Sequence, residues 1–164
     1  NLLDDWIETG DRFISAFEKE VDSLKKPSLL IKANSAFNHA LAIDPENLNA
    51  KTGAGVAIVN GMGAPMDGIA MLVEVVNKDP KNVKALMQLG LFSVKSGQFD
   101  KAIERFKSVL EIKKSFEAYF FLATAYESLD RKEEAIEAYT NSKNIVASPT
   151  MTKFIDSKLA ELKK

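Results

Sequence analysis

Cysteine is missing from all 164 residues, which excludes disulfides, thiolate metal sites and cysteine nucleophiles while leaving the compartment open. Histidine is almost as scarce. His39 stands alone, with no Ser, Cys or carboxylate constellation around it, so the sequence offers no catalytic residue, and a single imidazole makes a poor metal site. Charge of one sign is lacking too: 22 basic residues face 23 acidic ones, for a net charge of -1. Nucleic acid and anionic lipid are therefore not recruited by long-range attraction, and the expected partner is protein. No apolar run approaches the roughly 20 residues of a membrane helix, and the N-terminus lacks a charged-then-apolar signal pattern. The chain begins at Asn1 rather than Met, so a processed, exported or membrane-anchored parent fits as well as a shortened one. The segment itself reads as soluble, cytoplasmic or periplasmic.

What is present is enough apolar material, 46% of residues, to bury a core in one domain or one short repeat array. Self-similarity decides between the two. From Val83, the run Leu86, Leu89-Gly90, Gly97, Phe99, Ala102-Ile103, Phe106 and Leu110 has its counterpart from Phe116 in Tyr119, Leu122-Ala123, Tyr126, Ala135-Ile136, Tyr139 and Ile145. The period is about 34 residues. Each copy holds two stretches of 3.6 periodicity split by a polar turn, Lys95-Ser96-Gly97-Gln98 in one and Leu129-Asp130-Arg131-Lys132 in the other. Gly90, Ala102, Ala123 and Ala135 are small where paired helices must approach closely.

These residues resemble the tetratricopeptide repeat, whose pattern is a large residue, then Leu-Gly, then Tyr in the first helix, and Ala with a later Tyr or Phe in the second. The resemblance extends to two looser copies. One begins near Leu48 and contains Gly55, Ala57, Ile58, Ala70, Leu72 and Asp79-Pro80, with Gly68 replacing the usual Ala and one extra residue in the turn from Asn60 to Met66. The other opens with Trp6, Thr9-Gly10 and Phe13 and closes with Ala33, Phe37, Ala40-Leu41 and Asp44-Pro45. About eleven extra residues lie within Phe17 to Ser28. They are expected to extend the first helix to about Lys25, with Pro27 opening the second. The repeats then run from about 3–47, 48–82, 83–115 and 116–149, in one domain spanning 1–164. Beyond them Met151, Phe154, Ile155, Lys158, Leu159 and Leu162 form one amphipathic stripe, a capping helix over about 150–163. By the same resemblance, the style of the repeats looks bacterial.

The resemblance implies an all-α solenoid, a right-handed superhelix with the first helices lining its concave side, and a non-catalytic protein-binding task without a cofactor. Carrying the family's groove positions onto this chain gives Asp4, Ile7, Glu8 and Asp11 in the first repeat; Asn49, Thr52, Val56 and Asn60 in the second; Lys84, Met87, Gln88, Leu91 and Lys95 in the third; and Glu117, Phe120, Phe121, Thr124 and Glu127 in the fourth. The clamp by which one subclass grips C-terminal carboxylates has no match, because its positions hold Thr52, Val56, Gln88, Glu117 and Phe121. The candidate peptide-binding set is Asn49, Thr52, Val56, Lys84, Met87, Gln88, Leu91, Phe120, Phe121 and Thr124, suited at its apolar centre to an apolar segment. Phe120 and Phe121 flank the packing position Tyr119, so core packing or self-association competes with the groove for them.

Other features carry plainer readings. Asn60-Gly61-Met62-Gly63-Ala64-Pro65 lacks the Gly-Lys-Ser/Thr of a phosphate loop and reads as a turn, with Gly61 and Gly63 at positive φ and Pro65 opening a helix. Asp4, Asp5, Glu8 and Asp11 form a solvated acidic face, while Glu133, Glu134 and Glu137 favour a helix start. The lysines are scattered, without the interleaved aromatics of a nucleic-acid surface. An adaptor or scaffold is the leading expectation. The alternative is a structural spacer or self-assembling segment of a larger protein.

Overall fold

The amphipathic stretches fold as helices throughout the computed structural model, which describes residues 1–61 and 64–164. Nine helices occur among the described residues: α1 Leu2–Lys19, α2 Lys26–Ile43, α3 Leu48–Gly61, α4 Pro65–Lys78, α5 Val83–Lys95, α6 Phe99–Ile112, α7 Phe116–Ser128, α8 Lys132–Ile145 and α9 Pro149–Leu162. The fold is an all-α helical repeat of the solenoid class. None of these helices is long and apolar enough to cross a membrane. The chain forms two compact units, Asn1–Ala85 and Leu86–Lys164.

In the first unit α1 packs on α2, α2 on α3, α3 on α4, and α1 also reaches α3. The Asn1 side chain accepts from the Asp4 amide at 3.1 Å and caps α1, whose first turn carries Asp4 and Asp5 toward the positive end of the helix dipole. At the centre sits Phe37, fully buried. Its ring fits because Gly10 on α1 and Gly53 on α3 lack side chains: a β-carbon on Gly10 would lie 2.6 Å from it, and one on Gly53 closer still. Leu72 takes the corresponding place against Gly55, where a β-carbon would lie 2.9 Å from Leu72 Cγ. Gly68 explains its own departure from alanine, since a β-carbon there would meet the Gly55 carbonyl oxygen at 2.7 Å.

Two expectations need correction in this unit. Helix α1 stops at Lys19 instead of about Lys25, with Glu20 extended (φ -69, ψ 128). Side chains give the backbone another route there: Glu20 Oε1 accepts from the Asp22 amide and Asp22 Oδ1 from the Leu24 amide, both at 2.9 Å. Val21 and Leu24 are 95% and 88% exposed, so no packing rewards further helical turns. Gly61 ends α3 and does not adopt positive φ; its missing side chain instead admits Leu30, whose Cδ1 would lie 2.5 Å from a β-carbon. Met62 and Gly63 lie outside the described residues. Pro65 does open α4, and Pro27 stands in the first turn of α2.

Lys51 occupies the place that Trp6, Leu86 and Tyr119 hold in the other repeats. It is largely buried, and its ammonium donates to Glu74 at 2.6 Å and Glu46 at 3.3 Å. Lys78 joins the same two carboxylates, and its hydrogen bonds to Glu46 and then Glu74 push its ammonium up to about 12.

In the second unit α6 packs on α7, α7 on α8, and α8 on α9. Phe106 is fully buried over Gly90, where a β-carbon would lie 2.6 Å from the ring. Tyr139 repeats the arrangement in the next copy, and Ala102, Ala123, Ala135 and Ile155 complete the same core. The turns after α5 and α7 each need one left-handed residue, Gly97 at φ 72 and Asp130 at φ 56. Nothing lies within 4 Å of a β-carbon at Gly97, so a side chain there costs backbone strain alone. Gly97→Ala is expected to lose about 1–2 kcal/mol, whereas Asp130→Gly changes stability by less than about 1 kcal/mol. Urea denaturation midpoints of the two variants check the difference.

Candidate partner-binding surface

Residues from three successive first helices meet in the first unit. Ile7 and Asp11 from α1, Asn49 and Thr52 from α3, Lys84 from the start of α5 and the preceding Asn82 line a hollow of about 240 Å³. Lys84 Nζ donates to Asp11 Oδ1 at 2.8 Å across it, both side chains half-exposed. Asn82 Oδ1 accepts from the Ala85 amide at 3.0 Å, which fixes the first turn of α5 and the direction from which Lys84 enters. Asn49 is exposed on the rim. A second hollow, of about 680 Å³, runs along α1 past Asp4, Ile7, Glu8, Asp11, Arg12 and Ser15. Arg12 is held there by Glu8 at 2.6 Å.

Two members of the candidate set have little open surface. Thr52 and Val56 are each 3% exposed, and the Thr52 hydroxyl is spent on the Leu48 carbonyl at 2.7 Å. The cause lies in α3 itself, where every residue from Ala50 to Ala57 is buried. Along that stretch little of either side chain stays open, although Thr52 still borders the hollow.

Within the second unit Met87 and Leu91 are half-buried against the core, and Gln88 is half-buried beside them. Phe120 is the hub of a ring cluster: Phe116 at 5.7 Å, Phe121 at 5.5 Å, Tyr139 at 5.8 Å and Phe154 at 6.1 Å between centroids. Phe121 also stacks on Phe106 at 6.0 Å. Both phenylalanines thus contribute to packing while keeping part of their surface open. The Thr124 hydroxyl donates to the Phe120 carbonyl at 3.0 Å.

Glu127, expected from the sequence at a groove position, is the acceptor of a small polar network. The Tyr139 hydroxyl donates to its Oε2 and the Lys158 ammonium to its Oε1, both at 2.8 Å. Burial raises the Glu127 carboxyl, but the hydrogen bonds from Lys158 and Tyr139 together outweigh it and hold the group below its ordinary value. Burial, with Glu127 adding to it, raises the Tyr139 hydroxyl well above its own. A depressed carboxylate contributes stability that is complete above its unfolded pKa and is lost as pH falls through the folded one. Wild type is therefore expected to lose about 0.5–1 kcal/mol more than Glu127→Gln between neutral pH and pH ~3, as read by urea denaturation.

His39 is exposed, and its ring stacks on Trp6 with centroids 4.4 Å apart. Among the described residues no group of three His, Asp or Glu side chains is placed to hold a metal ion. The sequence missed Asn82, although an Asn directly before a helical run is a capping signal, and it missed the link from Glu127 to Lys158, which joins elements 31 residues apart.

Comparison with known proteins supports the repeats directly. Residues 85–117 and residues 116–145 each match a tetratricopeptide repeat family model. Among solved structures, MamA protein aligns at 22% identity and TM-score 0.66, over 88% of this chain and 73% of its own. The 41-end segment of MamA from Desulfovibrio magneticus RS-1 aligns at 15% identity and TM-score 0.73, over 99% of this chain and 88% of its own. A tetratricopeptide repeat protein from Parabacteroides merdae ATCC 43184 aligns at 14% identity and TM-score 0.73, over 99% of this chain and 60% of its own. At these identities the likeness concerns the fold. No curated protein sequence matches the chain.

Proposed function

With this chain a tetratricopeptide-repeat protein, we propose that it is a non-catalytic adaptor that holds a segment of a partner protein against the inner faces of its first helices. The observation that carries this reading is the hollow of the first unit, to which three repeats each supply side chains: Ile7 and Asp11, Asn49, and Lys84. Their chemistry is that of a recognition surface, with an aliphatic anchor point, an unengaged amide and a charge pair. Within the second unit, Met87, Leu91 and Phe121 are each partly buried against that unit's own core and keep some apolar surface open.

Asn49 is the position to test, because it is exposed and its replacement leaves the core intact. Asn49→Arg with Ile7→Glu is expected to retain the helical circular dichroism spectrum and to lose a partner that wild type captures from the native source. If a folded double variant still captures the same partner with undiminished yield, the hollow is not the binding surface.

A further inference from the structure

The inner positions of the last repeat already have an occupant, and it is part of the chain. Phe120 and Glu127 belong to the first helix of that repeat, at positions the family uses for its groove. Helix α9 supplies a side chain to each: the Phe154 ring packs on Phe120 at 6.1 Å, and the Lys158 ammonium reaches Glu127 at 2.8 Å. Phe154 and Lys158 are four residues apart, so they lie on one face, one turn from each other. Ile155, beside Phe154, is fully buried in the core, with Leu159 and Leu162 packed against it.

The occupant is held by modest means. Ile155 is the sole buried residue of α9, whereas α7 buries five and α8 four. Phe154 stays 46% exposed, and the side chains of Lys158 and Glu127 are each 30% exposed. Lys143 to Asp156 at 2.5 Å adds a second surface ion pair to α9, this one from α8. Surface pairs of this kind contribute little, so burial of Ile155 and its aliphatic neighbours dominates the attachment. The opposite face of α9 presents Lys153, Ser157, Ala160 and Glu161 to solvent.

We propose that the surface formed by Phe120, Glu127, Tyr139 and the adjoining side of α8 is a docking site for a helix of the partner protein, which α9 occupies in the absence of that partner. The template on the page defines the partner's chemistry: an aromatic residue with an aliphatic one beside it, a lysine one turn later and an aliphatic residue next to that, as in Phe154, Ile155, Lys158 and Leu159. A basic amphipathic helix satisfies Glu127. An acidic helix sets that half-buried carboxylate against like charge. The inference rests on the adaptor reading and deepens it by fixing the kind of segment bound.

The test uses the full chain and a fluorescein-labelled peptide with the sequence of residues 149–164, titrated by fluorescence anisotropy. Phe154→Ser with Lys158→Ser in the protein alters α9 but leaves the docking surface unchanged. The expected result is faster amide exchange in α9 and peptide affinity at least about tenfold above that of wild type, since the competing helix is no longer held. A peptide carrying Lys158→Glu is expected to lose that gain. If α9 stays protected in the double variant, Ile155→Asp releases it, with circular dichroism verifying that the other helices remain folded. Rapid exchange of α9 without any gain in peptide affinity overturns the proposal. The titration reads the second unit alone, so it is distinct from failure of partner capture through Asn49 in the first.

Discussion

Phe37→Ala is expected to lower the unfolding free energy by about 3–5 kcal/mol, the range for truncating a fully buried phenylalanine. The upper half of that range is favoured by the location. The Phe37 ring fills space left open by two glycines on different helices, Gly10 and Gly53, and neither offers side-chain atoms that can relax into the cavity. Collapse would require α1 or α3 to move as a body, against the packing of α1 on α2 and of α3 on α4. Phe37→Leu keeps most of the volume and is expected to lose less than half as much. Urea unfolding followed by circular dichroism measures both; equal losses below about 1 kcal/mol would show that the ring is not the keystone of the first unit.

Gly68→Ala has the second large effect, and its sign runs against helix propensity. Gly→Ala in a helix interior ordinarily gains about 1 kcal/mol. At the corresponding places the other repeats hold Ala33, Ala102 and Ala135, all fully buried without strain. At Gly68, however, a β-carbon would meet the Gly55 carbonyl oxygen at 2.7 Å and the Val59 amide nitrogen at 2.9 Å. Both are main-chain atoms, which cannot rotate out of the way as a flexible side chain can. Overpacking of this kind costs about 1–3 kcal/mol, so a net loss is expected despite the propensity gain. A stabilised Gly68→Ala protein would mean that α3 and α4 separate more easily than their two glycines imply.

The repeat architecture was legible because its signals are local and recur. Large residues at Phe37, Phe106 and Tyr139, set opposite Gly10, Gly90 and Ala123, mark helix crossings that no single-globule pattern would repeat. Helix starts at Leu48, Val83 and Phe116 follow from the same register. What sequence reasoning misjudged has local as well as distant causes. The expected extension of α1 to Lys25 ignored the turn-forming carboxylates of Glu20 and Asp22. Thr52 and Val56 were placed by position number, and both are nearly closed to solvent, with Thr52 still bordering the hollow of the first unit. Helix α3 has Lys51 as its only charged residue, and the small and apolar residues around it were the available sign that the stretch from Ala50 to Ala57 is enclosed by its neighbours. Lys51 itself was unreadable as a core residue, because its carboxylate partners Glu46 and Glu74 are identified only by the fold.

The stacking of Trp6 on His39 has a practical consequence for optical work. Trp6 is the single tryptophan, and it lies in the first unit; the three tyrosines, Tyr119, Tyr126 and Tyr139, all lie in the second. Nature has thus labelled the halves with different chromophores. Indole emission, excited at long wavelength, follows melting near the N-terminus, while the tyrosine bands, separated from the overlapping indole absorbance by second-derivative spectroscopy, follow the aromatic core around Phe120. Superimposable curves from the two signals would show a single cooperative transition, and staggered ones would show each half melting on its own schedule.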